Sequence, residues 1–271
     1  MYKLYFLMLF IVINLSSNAQ VTVYGKNKNN PDSVLSVKYY IFADTNNIGE
    51  KQILKYKNLE SLEINEGNIP KSFYNLNKLK FILYNYNDSL SLSDDICKFE
   101  KLETLWTNGC LIYNEIPPCF FEMSNLKTLV LVKGWGITKI PQNIKKSRIE
   151  VLVLANTRIT TIPNEFYKTI SLKEICFYKS PIKNISKAIG LLHNLKKIDF
   201  SYTNIAEIPK TIEQLANLEV LELSYTKITT LPFDFTKFKK LKELYLLGLS
   251  LPEKQIKAIK QSIPKECILM H

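Results

Sequence analysis

Catalysis by a nucleophile requires a serine, cysteine or threonine held beside a base, which is most often histidine. The chain has two histidines, His193 and the terminal His271. The setting of His193, just before an apolar strand pattern, is typical of a solvated surface residue. Cys176 has no histidine in its neighbourhood, and the carboxylates of Glu60 and Glu63 alternate as solvent-facing residues of a strand do. These residues therefore predict that the protein is not an enzyme.

Cofactor and metal motifs are also missing from the sequence. None of the patterns G-x-x-x-x-G-K-[ST], H-E-x-x-H and G-x-S-x-G occurs, and only 8 glycines are present. The cysteine spacings match no zinc pattern, so we expect no cofactor and no metal. An odd cysteine count leaves at least one thiol free or paired between molecules. Export would make a disulfide chemically possible, and the default interpretation for most of the cysteines is that of small buried hydrophobes. The five cysteines are Cys97, Cys110, Cys119, Cys176 and Cys267.

Residues 1–19 have the three regions of a secretory signal peptide. A short basic start precedes the apolar run Leu4–Leu15, and small polar residues follow up to Ala19. The run is shorter than the roughly 20 residues that span a bilayer, so it predicts no membrane span. An uncleaved anchor is the alternative. We expect cleavage after Ala19 and an exported protein, either periplasmic or secreted.

One pattern of apolar residues recurs along most of the chain. Its clearest copy is Leu218, Leu221, Leu223, Thr226 and Ile228, which reads L-x-x-L-x-L-x-x-T-x-I. Counting the first apolar residue as position 1, the copies follow one another at intervals of 20, 23 and 24 residues and then of 23. Position 1 is occupied by Leu59, Leu79, Leu102, Leu126, Ile149, Leu172, Leu195, Leu218 and Leu241.

The L-x-L alternation predicts a strand with one buried face. Strands this far apart along the chain pair with the equivalent strand of the next copy, and stacking of the copies builds the core. A proline in the second half of several copies suits a return segment or the first turn of a short helix. We therefore predict short helical turns on the convex side. The proline-containing pairs are Ile140-Pro141, Ile162-Pro163, Ile208-Pro209 and Leu231-Pro232.

Segments 208–223 and 231–246 resemble the leucine-rich-repeat family in its 23-residue class, L-P-x-x-I-x-x-L-x-x-L-x-x-L-x-L. The resemblance covers about residues 57–252 in nine repeats. It implies an α/β fold, a curved solenoid with a parallel sheet on the concave face and short helical or irregular returns on the convex face. It also implies recognition of macromolecules by the concave face, here by a bacterial exported member.

The chain departs from the family pattern at two places. The family's asparagine at position 9 survives only as Asn87, and threonine or serine hydroxyls are expected to form a shorter ladder instead. Tyr84 and Thr107 stand at core positions and residues 134–136 (Gly-Trp-Gly) interrupt a turn. These departures predict local distortion and not a second domain.

A solenoid exposes a hydrophobic edge at each end and needs caps. We assign residues 20–56 to an N-terminal cap, with a strand near residues 36–42. Residues 253–271 form the predicted C-terminal cap. Its amphipathic helix extends from Pro252 to Gln261, and its last strand covers residues 267–269.

Period-two alternation also predicts which side chains face away from the core. Position 5, at the centre of each strand, holds Glu63, Leu83, Trp106, Val130, Val153, Cys176, Asp199, Glu222 and Tyr245. Position 8 includes Tyr86, Lys133, Asn156, Lys179, Tyr202 and Tyr225, whereas Tyr178 is expected to turn inward.

The run of Leu83, Trp106, Val130 and Val153 on adjacent strands predicts an apolar contact strip. The alternative is that these side chains only pack against each other. The predicted ligand-binding residues are Leu83, Tyr86, Trp106, Val130, Lys133, Val153, Asn156, Lys179, Tyr202, Tyr225 and Tyr245.

The basic balance, 36 Lys and Arg against 25 Asp and Glu, bears on the choice of partner. Because the lysines are scattered, no nucleic-acid partner is expected. A protein or peptide is the first hypothesis. The second is an acidic polysaccharide of an envelope surface. The lysines that favour it are Lys80, Lys127, Lys133, Lys173, Lys179, Lys196 and Lys197.

Overall fold

The computed structural model describes residues 39–42, 57–64, 69–85, 94–109 and 114–271, and their strands follow the repeat frame. The predicted N-terminal segment 1–19 and site residue Tyr86 lie outside these ranges. The strands are β1 (Tyr39–Phe42), β2 (Ser61–Ile64), β3 (Phe81–Asn85), β4 (Thr104–Asn108), β5 (Asn114–Glu115), β6 (Thr128–Val132), β7 (Ile137–Lys139), β8 (Val151–Ala155), β9 (Glu174–Cys176), β10 (Lys197–Asp199), β11 (Val220–Glu222), β12 (Glu243–Tyr245) and β13 (Ile268–Met270).

Eleven of these strands form one parallel sheet in the order β1-β2-β3-β4-β6-β8-β9-β10-β11-β12-β13. Every pair joins equivalent positions of successive repeats, as Trp106 opposite Val130 and Asp199 opposite Glu222 illustrate. Neighbouring strands in this sheet follow one another along the chain, except that β5 and β7 lie outside it and form a small second sheet. The predicted parallel solenoid sheet is therefore confirmed.

The core lies behind the sheet, where the apolar residues of positions 1, 4 and 6 are buried in a continuous column. Tyr84 and Thr107 at position 6 are fully buried, as the sequence predicted. Phe177 and Phe200 stack across adjacent repeats with ring centroids 6.0 Å apart. Burial of each large apolar side chain contributes about 1.5–3 kcal/mol, so stacking of repeats stabilises a column that no single repeat could form.

Short 3₁₀ turns on the return side confirm the predicted helical turns. A proline stands directly before or at the start of several of them, with φ near −60° at Pro70, Pro141 and Pro209. Ser186 and Asp234 instead cap their turns by accepting a backbone N–H. The turns cover Lys71–Asn75, Asp94–Lys98, Pro118–Phe121, Gln142–Lys146, Asn164–Lys168, Lys187–Leu191, Lys210–Gln214 and Phe235–Lys237.

Two ladders of polar side chains link neighbouring repeats. Asn125, Asn194 and Asn217, each just before position 1, donate a side-chain N–H to a backbone carbonyl of the preceding repeat at 2.8–2.9 Å. At position 9, Thr157 and Ser180 join hydroxyls at 2.7 Å. Thr203 and Thr226, by contrast, bond carbonyls three residues earlier in their own turns. The predicted hydroxyl ladder therefore crosses repeats between Thr157 and Ser180, whereas the asparagine ladder was not predicted.

The irregular part of the solenoid lies between β4 and β8. There β5 pairs with β7 in a second, two-stranded sheet. A Cβ at Gly134 would lie 2.5 Å from Cδ1 of the buried Ile137, so the Ile137 side chain would have to move to admit a larger residue there. Cys97 and Cys119 form a disulfide between successive return segments, with Cα atoms 6.1 Å apart. The interpretation of the cysteines as small hydrophobes was wrong for these two; Cys176 and Cys267 are free thiols.

The predicted terminal helix is present as α1 (Glu253–Ser262), and β13 follows it and pairs with β12. Ile259 is the buried residue of α1, and the lysines within the helix are exposed to solvent. Gln255 exchanges two hydrogen bonds with the backbone of Leu231 in the last return segment. The helix therefore covers the end of the core column.

Candidate binding face

The side chains at position 5 form one row along the open face of the sheet. The strand register brings Trp106 opposite Val130, Val130 opposite Val153, and Val153 opposite Cys176. Adjacent residues in the row are separated by the strand spacing of about 4.8 Å. In order, the row contains Glu63, Leu83, Trp106, Val130, Val153, Cys176, Asp199, Glu222, Tyr245 and Met270.

The apolar residues of this row form a cluster separate from the core behind the sheet. Val130 and Val153 are only 2% and 7% exposed, and Ala155 is buried with them. These two valines pack against their neighbours, as the alternative interpretation held. The solvent-facing part of the cluster is therefore the set of partly exposed side chains that cover them. That set consists of Trp106, Val132, Val151, Cys176 and Tyr178. Leu83 is partly exposed on the strand next to Trp106.

The expectation that Tyr178 turns inward was wrong. Tyr178 is at position 7, two residues beyond Cys176, and therefore shares the open face with it. Its ring packs against the apolar cluster, and it meets Tyr202 edge-on at a centroid distance of 5.5 Å. In this repeat Phe177 is the side chain that packs inward, and it is fully buried.

Position 8 adopts the left-handed backbone conformation in every repeat from β4 to β12. Glycine is favoured in this region because a Cβ is crowded there. Each non-glycine residue that holds it, such as Asn156, donates its N–H to a carbonyl of the next repeat, here Tyr178 at 2.7 Å. The residues concerned are Gly109, Lys133, Asn156, Lys179, Tyr202, Tyr225 and Gly248, with φ between 53° and 96°.

Tyrosines form a row at this edge of the face. Tyr202 and Tyr225 stack with centroids 4.5 Å apart and remain 45% and 48% exposed. The row ends at Gly248, where a Cβ would approach the Tyr225 ring to 2.6 Å. The Lys179 ammonium lies 5.2 Å and 5.5 Å from the ring centres of Tyr178 and Tyr202. Predicted site residues Lys179, Tyr202 and Tyr225 are thus brought together.

Carboxylates replace the apolar residues in the second part of the row. Asp199 accepts hydrogen bonds from the backbone and hydroxyl of Ser201 at 2.8 Å and 2.6 Å, and Cys176 Sγ lies 3.5 Å from its other oxygen. Glu222 accepts a bond of 2.7 Å from the backbone N–H of Ser224. Burial raises the pKa of Asp199, and burial together with the charge of Asp199 raises the pKa of Glu222 to about 7.

The side chains of types that commonly act in catalysis are poorly suited to it here. Burial raises the pKa of the Cys176 thiol well above its ordinary value, and Asp199 and Glu222 raise it further. A thiol held in its neutral form is a weak nucleophile. His193 is exposed on the return side, where its carbonyl accepts a bond from Asn217. In the described ranges, His, Cys, Asp and Glu side chains form no group suited to a metal ion.

Lysine and glutamate alternate at position 2, at the edge of the sheet where the strands begin. Glu150 pairs with Lys127 and Lys173 at 3.7 Å and 2.5 Å, and Glu219 pairs with Lys196 and Lys242 at 3.8 Å and 2.5 Å. Lys80 pairs with Glu60, and Lys197 at position 3 pairs with Glu174. Five of the seven lysines that favoured a polysaccharide are therefore already paired with carboxylates.

The family model described as leucine rich repeat matches residues 193–248. The repeat fold extends further, because solved leucine-rich-repeat structures superpose on most of the chain. The leucine-rich-repeat domain of the type III effector XopL is 20% identical, with a TM-score of 0.64, and the match covers 82% of this chain and 80% of that domain. These findings confirm the resemblance to the leucine-rich-repeat family and the solenoid fold.

Two similar structures contain a bound ligand. The plant peptide hormone receptor RGFR1 in complex with RGF2 is 20% identical (TM-score 0.60), over 85% of this chain and 42% of the receptor. TLR13 in complex with the RNA ssRNA13 is 21% identical (TM-score 0.60), over 77% of this chain and 32% of that protein. The chain thus spans less than half of either receptor.

No curated protein sequence matches the chain. In the part of the chain that the structure describes, the one α-helix, α1, has ten residues, and no helix has the length and apolar character needed to cross a membrane.

Proposed function

We propose that this leucine-rich-repeat solenoid is an exported, non-catalytic module that binds a protein or peptide across the concave face of its sheet. The observation that carries the proposal is the apolar cluster around Trp106, which lies on the open face and is separate from the core. A core does not need a second apolar layer on the solvent side of its sheet. Aromatic residues in such positions are typical anchors of protein interfaces.

The fold supports the proposal in general terms, since the plant peptide hormone receptor RGFR1, which is similar in structure, is solved in complex with RGF2. It does not identify the ligand, because one fold serves many ligands. The scattered and paired lysines support the exclusion of nucleic acid, although TLR13 of similar fold is solved with RNA. The partner of this chain must therefore be argued from the side chains of its own face.

Export is supported by the disulfide between Cys97 and Cys119. Disulfides form and persist in oxidising compartments and are rare in the cytosol. The N-terminal apolar run Leu4–Leu15 points to the same conclusion. Secretion assays of a tagged full chain, with and without residues 1–19, would test it: the proposal requires that the truncated form stay in the cytoplasm.

Binding can be followed through the two tryptophans, Trp106 and Trp135. Trp135 is 55% exposed in the turn at residues 134–136 and is not among the residues of the cluster. In a Trp135→Phe variant Trp106 is the single tryptophan. Peptides selected from a displayed random library on the mature chain are expected to change its emission. A library that yields no peptide above background on the mature chain counts against the proposal.

Trp106→Ala is expected to weaken binding of the selected peptides by at least about 30-fold, as loss of a central aromatic anchor costs 2 kcal/mol or more. Trp135→Ala is the matched control and should leave the affinity unchanged. Circular dichroism and urea unfolding of both variants would check that the solenoid remains folded. Equal affinity of the Trp106→Ala and wild-type proteins would place the binding site elsewhere.

The acidic-polysaccharide alternative makes the opposite prediction. If charge dominated, Lys133→Glu with Lys179→Glu would abolish binding, and moderate salt would release the ligand. The ion pairs of Lys80, Lys127, Lys173, Lys196 and Lys197 argue against this alternative, because they neutralise much of the basic surface beside the face.

A further inference from the structure

We infer that the partner presents a basic side chain, lysine or arginine, a few residues away from an apolar one, and that Asp199 and Glu222 receive it. This inference rests on the proposed function, since it names the chemistry of the ligand for the same face. The supporting observation is that two surfaces adjoin on the open face of one sheet. They are the apolar cluster and the carboxylates that follow it along the row of position 5.

The charge of the second part of the face is opposite to that of the chain. The whole sequence carries a formal net charge of +11. Yet the face-directed positions 3 and 5 of β9 to β12 contain four acids and one base. The base, Lys197, is already paired with Glu174 at 3.3 Å. The acids are Glu174, Asp199, Glu222 and Glu243.

Asp199 and Glu222 have no cationic partner among the residues that the structure describes. They stand opposite each other on β10 and β11, and their row continues to the neutral Cys176 on one side and Tyr245 on the other. Their hydrogen bonds come from thiol, hydroxyl and backbone groups. Two like charges at strand spacing on a partly buried surface are destabilising unless a cation joins them.

A comparison within the chain shows what a cation does to such a group. Glu219 precedes Glu222 by three residues, and its pKa is lowered by the hydrogen bond from Lys242. The pKa of Glu222 is raised to about 7 by burial and by Asp199. A lysine or arginine of a partner that reached Glu222 and Asp199 would supply the missing charge, and the partly dry face would strengthen the contact.

The spacing of the two surfaces sets the spacing in the ligand. Asp199 is two strands beyond Val153 and Glu222 is three strands beyond it, which corresponds to about 10 Å and 14 Å at the strand spacing of a sheet. An extended peptide advances about 3.3 Å per residue. A ligand lying across the strands thus places its basic side chain about three to five residues from the side chain that contacts Val151, which is on β8 with Val153. The same count gives about six or seven residues from a side chain that contacts Trp106 on β4, because Trp106 lies two strands further away.

The test is a selection of displayed random nonapeptides on the mature chain, followed by affinity measurements on synthetic peptides. Each selected peptide is made in four forms, with arginine, lysine, glutamine or glutamate at the position that the spacing predicts, about three to five residues from an anchor on Val151 or six to seven from an anchor on Trp106. We expect selection of lysine or arginine at that position. We also expect the arginine form to bind at least tenfold more tightly than the glutamine form.

The isosteric double variant Asp199→Asn with Glu222→Gln removes the charges and keeps the shape of the face. It is expected to bind arginine and glutamine forms equally, at the affinity that the wild type shows for glutamine. The matched control is Glu150→Gln with Glu219→Gln, which makes the same change of charge in the edge ladder. The control should keep the preference for arginine.

The pH dependence of peptide binding provides an independent test. The groups facing Glu222 are Asp199, Glu243, Tyr245, Cys176 and Tyr202. Because protonation of Glu222 removes the charge that attracts the ligand, preference for arginine over glutamine should decline from pH 8 to pH 5.5. The double variant should show no such decline.

The outcomes separate the two proposals. Selected peptides that depend on Trp106 but show no preference for a basic residue overturn this inference and leave the proposed function in place. Selection of acidic peptides overturns it as well. A selection that enriches no peptide at all counts against the proposed function and removes the basis of this inference.

Discussion

Val130 and Val153 in β6 and β8 occupy the same repeat position as Asp199 and Glu222 in β10 and β11. The strand geometry and register are the same at both places. The valines pack into a small apolar cluster, whereas the carboxylates are held with a raised pKa. Since the fold accepts either kind of residue at position 5, the solenoid alone does not determine which kind stands there.

The two parts of the solenoid also differ in how they are held together. The repeats around β4 to β8 contain the second sheet, the turn at residues 134–136 and the Cys97–Cys119 disulfide. The repeats from β9 to β12 are regular, and asparagine side chains and ion pairs link them. The irregular part carries the apolar surface and is cross-linked by a disulfide. The regular part carries the charged surface, and its described residues contain no disulfide.

The largest expected effect concerns the disulfide. Replacing Cys97 and Cys119 by serine should lower the free energy of unfolding by about 3 kcal/mol, because a bridge of this loop length limits the unfolded chain. Urea unfolding of the oxidised protein and of the double variant would measure it. Cys267→Ser, a free and partly exposed thiol, is the control. A loss below about 1 kcal/mol would mean that the link is not needed by the irregular repeats.

A second change would break the comparison by placing a carboxyl in the apolar part. Val153→Asp should lower the free energy of unfolding by about 2 kcal/mol at pH 8, because the site is nearly closed to solvent and offers no polar partner. Burial would raise the pKa of the introduced carboxyl in the folded state. The penalty is therefore small at pH 4, where the group is neutral, and grows as pH rises. A penalty that is the same at both pH values contradicts this explanation.

The smallest change removes the charge from the polar part. The folded pKa of Glu222, about 7, lies above the ordinary value of 4.5. The folded state then holds more protons than the unfolded state between these values, and stability falls as pH rises through this range. Glu222→Gln should therefore raise the free energy of unfolding at pH 8 by about 1 kcal/mol, less than the full shift implies because the group is partly exposed.

At pH 4 the Glu222→Gln variant should match the wild type. Glu219→Gln is the control, and its effect should stay within about 0.5 kcal/mol at pH 8, as for other exposed ion pairs. The same Glu222→Gln change is expected to weaken binding of arginine peptides. If the variant is more stable but binds more weakly, Glu222 serves binding at a cost in stability. If the variant is less stable than the wild type, Glu222 has a structural role instead.

The sequence was sufficient for the architecture because the apolar spacing repeats. The positions of Leu218, Leu221 and Leu223 define a strand and its buried face, and their recurrence defines the parallel register. Once the register was known, the row containing Trp106 and Glu222 could be written down, and the structure has the same row. Its role in binding remains a prediction, as do the cap boundaries.

Other features depend on contacts that periodicity does not specify. The partner of Cys97 lies in the next return segment, and the spacing of five cysteines does not determine it. Tyr178 was misplaced because position 7 was treated as the beginning of an inward turn, whereas the strand alternation continues for one more residue. The alternating lysines and glutamates of position 2 and the asparagines before position 1 were visible in the sequence, but both required the repeats to be compared column by column.

The uniform register of β9 to β12 has a consequence for how such a chain changes in evolution. Loss or duplication of one whole repeat there would bring equivalent strands together and keep every hydrogen-bonded pair of the sheet. The charged surface could thus lengthen or shorten between generations without a new fold. Loss of a single repeat between Cys97 and Cys119 would instead remove one of the two cysteines and leave the other without a disulfide partner. Variation in relatives is therefore expected to accumulate in repeat number after β8.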